Sequence, residues 1–358
     1  MRLNQRQRRR MKPPVAPRAD SPVYGGASVG GASYCGASAT SGGLVPGLAD
    51  APAFSVWHNE PSPIPVVIAV PHAGRSYPPE LLARMRQPAF SAARLEDRLV
   101  DLVGTEVAQR TGAPLLIAHA PRAMIDLNRA SDDIDWEMVG GGAGEARGHP
   151  SAEPAATPLA ARRARSGLGL VPRRLPGVGE LWKRPIEHAD LAARIAHVHG
   201  PYHAALSQLL EQVRARWGAV LLIDLHSMPP LPARAGEPAA EFVVGDRFGA
   251  SCDGALVANL FAGLGEARRL AAHNRPYAGG YVLERHARRA DGVHCLQLEI
   301  DRRTYLTPSL AEPGPGLPAT VDLVASLVQR MAIAVADLGA DLGAELGRDR
   351  QRWRAAAE

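Results

Sequence analysis

The chain has 358 residues, 46% of them hydrophobic and 22% charged, enough for one large domain or two ordinary ones with a real core. Its longest apolar runs, such as 66–70 and 219–223, fall far short of the roughly 20 residues of a membrane span. A transmembrane protein is therefore not expected. Three widely spaced cysteines (Cys35, Cys252, Cys295) form neither a disulfide scaffold nor a zinc-knuckle spacing. The formal charge of +5 belongs to one end: Arg2, Arg6, Arg8, Arg9, Arg10, Lys12 and Arg18 all precede the first acid, Asp20, and the rest of the chain is slightly acidic. That distribution argues against a nucleic-acid-binding body. The basic start is followed by no apolar stretch of the secretory kind, which points to the cytoplasm.

Taken in chain order, residues 1–55 cluster Pro, Gly, Ser and Ala with few large apolar side chains, and are expected to form a disordered tail ahead of a single domain over 56–350. A buried strand is predicted at 65–70. Leu95, Leu99, Val100, Val103 and Val107 recur at helical spacing, so 92–111 reads as a helix closed by Gly112. Strands follow at 115–118 and 219–225, with a helix over 191–217 between them. An irregular insertion is expected at 140–176, as a long loop or lid. Further strands at 241–244 and 296–300 precede a closing helix over 321–342. The alternation implies an α/β sandwich around a mostly parallel or mixed sheet, with helices on both faces.

In open α/β folds, ligands bind beyond the carboxyl ends of strands. There the sequence places His72, after the first predicted strand, and His226, after the third. One such histidine is usually an ordinary loop residue; two at equivalent strand ends, with carboxylates nearby, suit a catalytic zinc with three protein ligands and one position for water. Glu96-Asp97 could supply the carboxylate. Helix phase favours Glu96, which falls among apolar positions, while Asp97 lies on the side of Asp101. Glu299 alternates with Leu298 and Ile300, so it shares a face with Gln297: either an exposed edge, or a carboxylate aimed into a site as general base. Arg122 and Arg129 flank Asp126 and could pair with it, or hold a substrate carboxylate in a planar fork.

Together these pieces form an ordered series: Pro71-His72-Ala73-Gly74 with Tyr77-Pro78, Asp97 and Asp101, Arg122 with Asp126-Leu127-Asn128-Arg129, Pro201-Tyr202-His203, Asp224-Leu225-His226-Ser227, Gly245-Asp246, Gly279-Gly280-Tyr281, and Gln297-Leu298-Glu299 with Tyr305. The series resembles the N-formylglutamate amidohydrolase family over roughly residues 63–310. Ala73 stands where the family usually has serine, and the region near Trp136 diverges.

The resemblance implies a fold similar to the zinc carboxypeptidases and hydrolysis of an N-acyl amino acid, with formate and glutamate as products in histidine degradation. By that likeness, His72, Asp97 and His226 hold one Zn2+, so Asp97 takes precedence over Glu96, and Glu299 is the base. Asn128 and Arg129 hold the α-carboxylate, Arg122 stabilises the oxyanion or clamps a second carboxylate, and His203 and Gly280 border the substrate. A carboxypeptidase-like or murein-peptide amidase, or a non-enzymatic binding protein, are the competing readings. The set His72, Asp97, His226 and Glu299 argues against mere binding.

Overall fold

The computed structural model describes residues 38–140, 166–175, 177–233 and 238–357. Eight strands form one sheet: β1 (Ser38–Gly42), β2 (Phe54–His58), β3 (Val66–Val70), β4 (Leu115–Ala118), β5 (Val220–Met228), β6 (Phe242–Gly245), β7 (Ala271–His273) and β8 (Val293–Asp301). Their order is β1-β2-β4-β3-β5-β8-β6-β7. The inner four, β4-β3-β5-β8, run parallel. β6 is antiparallel to β8, and β1 and β2 close the far edge as an antiparallel pair. The expected class, α/β with a mixed, mostly parallel sheet, is what is observed.

The inner strands are buried on both faces, as parallel strands are when helices cover both sides. Side chains alternate between two apolar layers. Val66, Ile68, Leu221, Ile223, Leu296 and Leu298 pack against α3 (Val100–Thr111), α6 (Gly254–Glu266) and α8 (Leu317–Ala357). Val67, Ala69, Leu222 and Cys295 face the other way, toward α1 (Pro79–Arg84), α2 (Pro88–Leu95), α5 (Gly200–Trp217) and α7 (Tyr281–His286). The helix α4 (His188–Arg194) runs into α5 through a π-helical turn at Ile195–His199.

Several expectations need correction. The helix read over 92–111 is two helices, because α2 ends at Leu95 and α3 begins at Val100. Leu99 between them is left-handed at φ 57. The backbone N–H of Asp97 leaves the helical ladder and donates to His72 O at 2.9 Å, so tertiary pairing overrides the local periodicity. The strand at the third position runs on to Met228, which puts His226 inside it, and the last extends over Val293–Asp301. The short edge strands β1 and β7, and β2 next to β1, escaped the sequence reading. The closing helix is longer than expected and, over Leu317–Ala344, apolar enough to cross a membrane by length and composition. It is instead a core helix, with Val321, Val324, Val328, Met331 and Val335 buried against the sheet.

The tail boundary also moves. β1 pairs with β2 from Ser38, Val45 is buried, and Phe54 meets Tyr202 edge to face at 5.9 Å. Residues 1–37 of the expected tail, and 141–165 and 176 of the expected insertion, lie outside the described residues. The end of that insertion, however, is core: Leu170 and Val171 are buried, and Leu170 O accepts from Asp126 N at 2.7 Å. Deleting residues 1–37 is expected to leave thermal stability and activity unchanged. Deleting 1–55 removes an edge strand and Phe54, whose loss alone costs about 3–5 kcal/mol in a core, and should lower Tm by several degrees in a melting experiment.

Candidate metal centre

The parallel block carries the site at its carboxyl end. β5 and β8 pair in parallel with Asp224 opposite Gln297 and His226 opposite Glu299. Period-two alternation puts all four side chains on one face, continuing the row begun by Leu222 and Cys295. β3 ends beside Asp224 and turns into Pro71-His72. The turn passes close to the end of β4: a side chain on Gly74 would stand 2.1 Å from the carbonyl oxygen of Ala120, so only glycine fits.

These elements, with the α2–α3 junction, bring His72, Asp97 and His226 together with one ligand atom of each within 4.8 Å of the others. Both imidazoles are held from behind by carboxylates. His72 Nε2 pairs with Asp126 Oδ1 at 2.8 Å, and His226 Nε2 with Asp224 Oδ2 at 2.9 Å. Both Nδ1 atoms thus face Asp97 Oδ2, at 3.7 Å for His72 and 2.8 Å for His226. Among the described residues, His72 Nδ1 has no hydrogen-bond partner although it is buried. Two imidazoles turned by outer carboxylates toward a third carboxylate, with one ring nitrogen orphaned, is a donor set that fits a divalent metal. Glu96 lies outside the set: it is buried against Arg98, whose Nη1 donates to it at 3.1 Å.

The electrostatics agree with a site built for a cation. Burial alone would raise Asp97, but its bond to His226 and the nearby His72 imidazole hold it well below the carboxylate range. Asp126 is likewise held low against burial by Arg122 and His72. His226, which burial would push down, is raised well above its ordinary value by Asp224 and Asp97. Glu299, bonded to no guanidinium among the described residues, goes the other way: burial pushes its carboxyl up to about 7.

The other expected residues sort into two groups. Arg122 lies against the site and grips Asp126 Oδ2 through Nε and Nη2, both at 2.9 Å. Asn128 is buried, with Val282 N donating to its Oδ1 at 2.9 Å and its own Nδ2 donating to Gln297 Oε1 at 3.2 Å. Gln297 Nε2 in turn donates to Glu299 Oε1 at 2.8 Å, so an amide chain links Asn128 to Glu299. Gly280 leaves room for this: a Cβ there would stand 2.4 Å from Asn128 Oδ1. Arg129 turns elsewhere, its Nε on Leu168 O at 2.8 Å and its Nη1 on Asn128 O at 2.9 Å. His203 is fully buried behind the Asp126–Arg129 segment and bonds Leu127 O at 3.0 Å.

Sequence reasoning assigned no role to Asp224, Gln297 or Arg302. A carboxylate two residues before His226 on a strand must share its face, which was a readable signal for Asp224. Arg302 had none, because the chain turns back after β8: its Nε donates to Ser227 Oγ at 3.1 Å and its Nη2 sits 3.6 Å from Asp97 Oδ1.

Comparison with known proteins gives one consistent result. The family model described as N-formylglutamate amidohydrolase matches residues 64–306. The N-formylglutamate deformylase of Pseudomonas aeruginosa is 28% identical over 247 residues, covering 68% of this chain and 82% of that protein. The crystal structure of N-formylglutamate amidohydrolase from Ralstonia eutropha JMP134 superposes with a TM-score of 0.69 at 31% identity, over 79% of this chain and 98% of that one. A gene product of Agrobacterium tumefaciens shares the fold at a TM-score of 0.56 and 17% identity, over 79% and 94% of the two chains.

Proposed function

Because the chain belongs to the N-formylglutamate amidohydrolase family, we propose that it hydrolyses N-formyl-L-glutamate with water to formate and L-glutamate, using one zinc ion held by His72, Asp97 and His226. The observation that carries this reading is the convergence of those three side chains beside Glu299, which stands opposite His226 in the sheet.

When bound, the metal acidifies its water and polarises the formyl carbonyl. The remaining work belongs to the chain. Glu299 accepts the proton of the attacking water and returns it to the leaving amine nitrogen. A carboxyl raised by burial toward neutrality is suited to that exchange, since it takes a proton more strongly than an ordinary carboxylate and can still release it near neutral pH. Arg122 contributes positive charge where the oxyanion develops. Asn128 Nδ2 carries two hydrogens, of which Gln297 takes one; the other serves the substrate's α-carboxylate. Arg129 supports Asn128 by tying down its backbone carbonyl.

The test combines metal analysis of the purified protein with a product-release screen over N-formyl, N-acetyl and N-succinyl amino acids. Close to one zinc per chain is expected, with N-formyl-L-glutamate turned over at a kcat/KM at least about tenfold above any analogue. Turnover of peptides with N-formylglutamate untouched would overturn the assignment.

A further inference from the structure

His203 was expected at the substrate, yet it sits behind the segment that faces the substrate, and its surroundings give it a different task. The loop over 121–135 is mostly buried and largely without regular ladders, so its carbonyls need other partners. Three successive ones are met by side chains. Leu127 O is met by His203 Nε2 at 3.0 Å, Asn128 O by Arg129 Nη1 of the same loop at 2.9 Å, and Arg129 O by His199 Nε2 at 2.9 Å. The two histidines are four residues apart on α5 and the turn before it, so they share a helix face, with ring centroids 4.5 Å apart. The π-helical turn Ile195–His199 immediately precedes, a feature common at functional sites.

The protonation pattern follows from the carbonyl. Leu127 O can only accept, so His203 Nε2 carries the hydrogen and the neutral ring's Nδ1 is an acceptor. His286 Nε2, 3.0 Å from that Nδ1, must then donate. His286 Nδ1 is left to accept from Ser207 Oγ at 3.3 Å, at the half-exposed end of the chain. Burial favours neutral rings throughout, holding His203 well below its ordinary value and His286 down at about 3.

We infer that His203 is a positioning residue for substrate binding: it fixes the Leu127–Asn128 peptide, and hence the Asn128 amide, while His286 and Ser207 hold it in the tautomer that can do so. The inference rests on the reading that Asn128 receives the substrate's α-carboxylate. It predicts an effect on KM, because His203 bonds neither a metal-holding side chain nor Glu299.

The experiment compares His203→Gln with His203→Asn on N-formyl-L-glutamate. Glutamine can set an amide N–H where Nε2 stood and keep the Leu127 bond. Asparagine reaches only the Nδ1 position and loses that bond. His203→Asn should raise KM about tenfold, equivalent to about 1.4 kcal/mol of binding, with kcat within about twofold per folded protein. His203→Gln should stay near the parent. A merely structural role would reduce the active fraction in both and leave KM alone, which overturns the inference. Asn128→Ala separates the two readings. If it raises KM while His203→Asn does not, only the role of His203 falls; if it leaves KM unchanged, the Asn128 reading itself falls. Should His203→Asn not fold, Ser207→Ala acts at the outer end of the chain. A rise in KM of about two- to threefold supports the tautomer argument, and none overturns it.

Discussion

Glu299→Gln is expected to lower kcat by about 10²–10⁴, the usual cost of losing a general base, while metal content and KM stay near those of the parent. The substitution keeps the shape of the side chain and leaves an amide oxygen to accept from Gln297 Nε2, as Glu299 Oε1 does now at 2.8 Å. What it removes is the ability to take the water's proton. Asn128 and the His72–Asp97–His226 cluster are untouched by the change. Single-turnover kinetics with parallel metal analysis decides the matter. If the variant loses metal, Glu299 is a ligand and the base lies elsewhere; if it keeps full activity, the hydrolytic mechanism is wrong.

The same substitution carries a stability signature of opposite sign. Burial raises Glu299 from 4.5 to about 7. Between those values the folded protein holds a proton that the unfolded chain has released, so through this group stability falls as pH rises. Glutamine has no charge to desolvate. In metal-stripped protein, Glu299→Gln should melt no lower than the parent near pH 4.5 and above it at pH 8. A variant that is both inactive and less stable at pH 8 would mean that Glu299 serves the fold and not the reaction.

How far the site was legible depended on where each residue sits. Glu299 was readable because strand alternation is local: Leu298 and Ile300 mark one face, and the polar residues beside them must share the other. His72 and His226 were readable as residues after apolar runs, although β5 in fact continues through His226. Asp97 was not readable from periodicity, because Leu95, Leu99 and Val100 keep helical spacing through a junction that is not helical. The break is imposed by the His72 carbonyl and the left-handed Leu99, both outside what spacing records. Only the family resemblance favoured Asp97 over Glu96. The edge strand β1 hid for the opposite reason. Ser, Ala, Thr and Gly give it no apolar signature, and it exists because β2 offers a row of unpaired backbone groups. Asn128 and Arg129 are neighbours in sequence but part company in space, and no one-dimensional motif distinguishes the side chain toward Gln297 from the one toward Leu168.

Chelating the metal is expected to abolish turnover and to leave an apo protein that weakens on the alkaline side. His226 lies between Asp97 Oδ2 and Asp224 Oδ2 at 2.8 and 2.9 Å, and the two carboxylates overcome burial to hold its proton well above the ordinary value for histidine. A raised histidine contributes stability that is complete below its unfolded value, near 6.5, and is lost as pH rises through the folded one. Metal binding replaces that proton, because an imidazole must be neutral to coordinate, so affinity grows with pH. The gap in Tm between zinc-loaded and stripped protein should therefore widen from pH 6 to pH 9. It represents about 4 kcal/mol when free zinc exceeds its Kd a thousandfold. Asp97→Ala should erase the gap at every pH. Glu96→Gln should preserve it, since Glu96 is committed to Arg98. If Glu96→Gln erases the gap and Asp97→Ala retains it, the carboxylate ligand has been misassigned; if chelation changes neither activity nor melting, His72, Asp97 and His226 hold no metal.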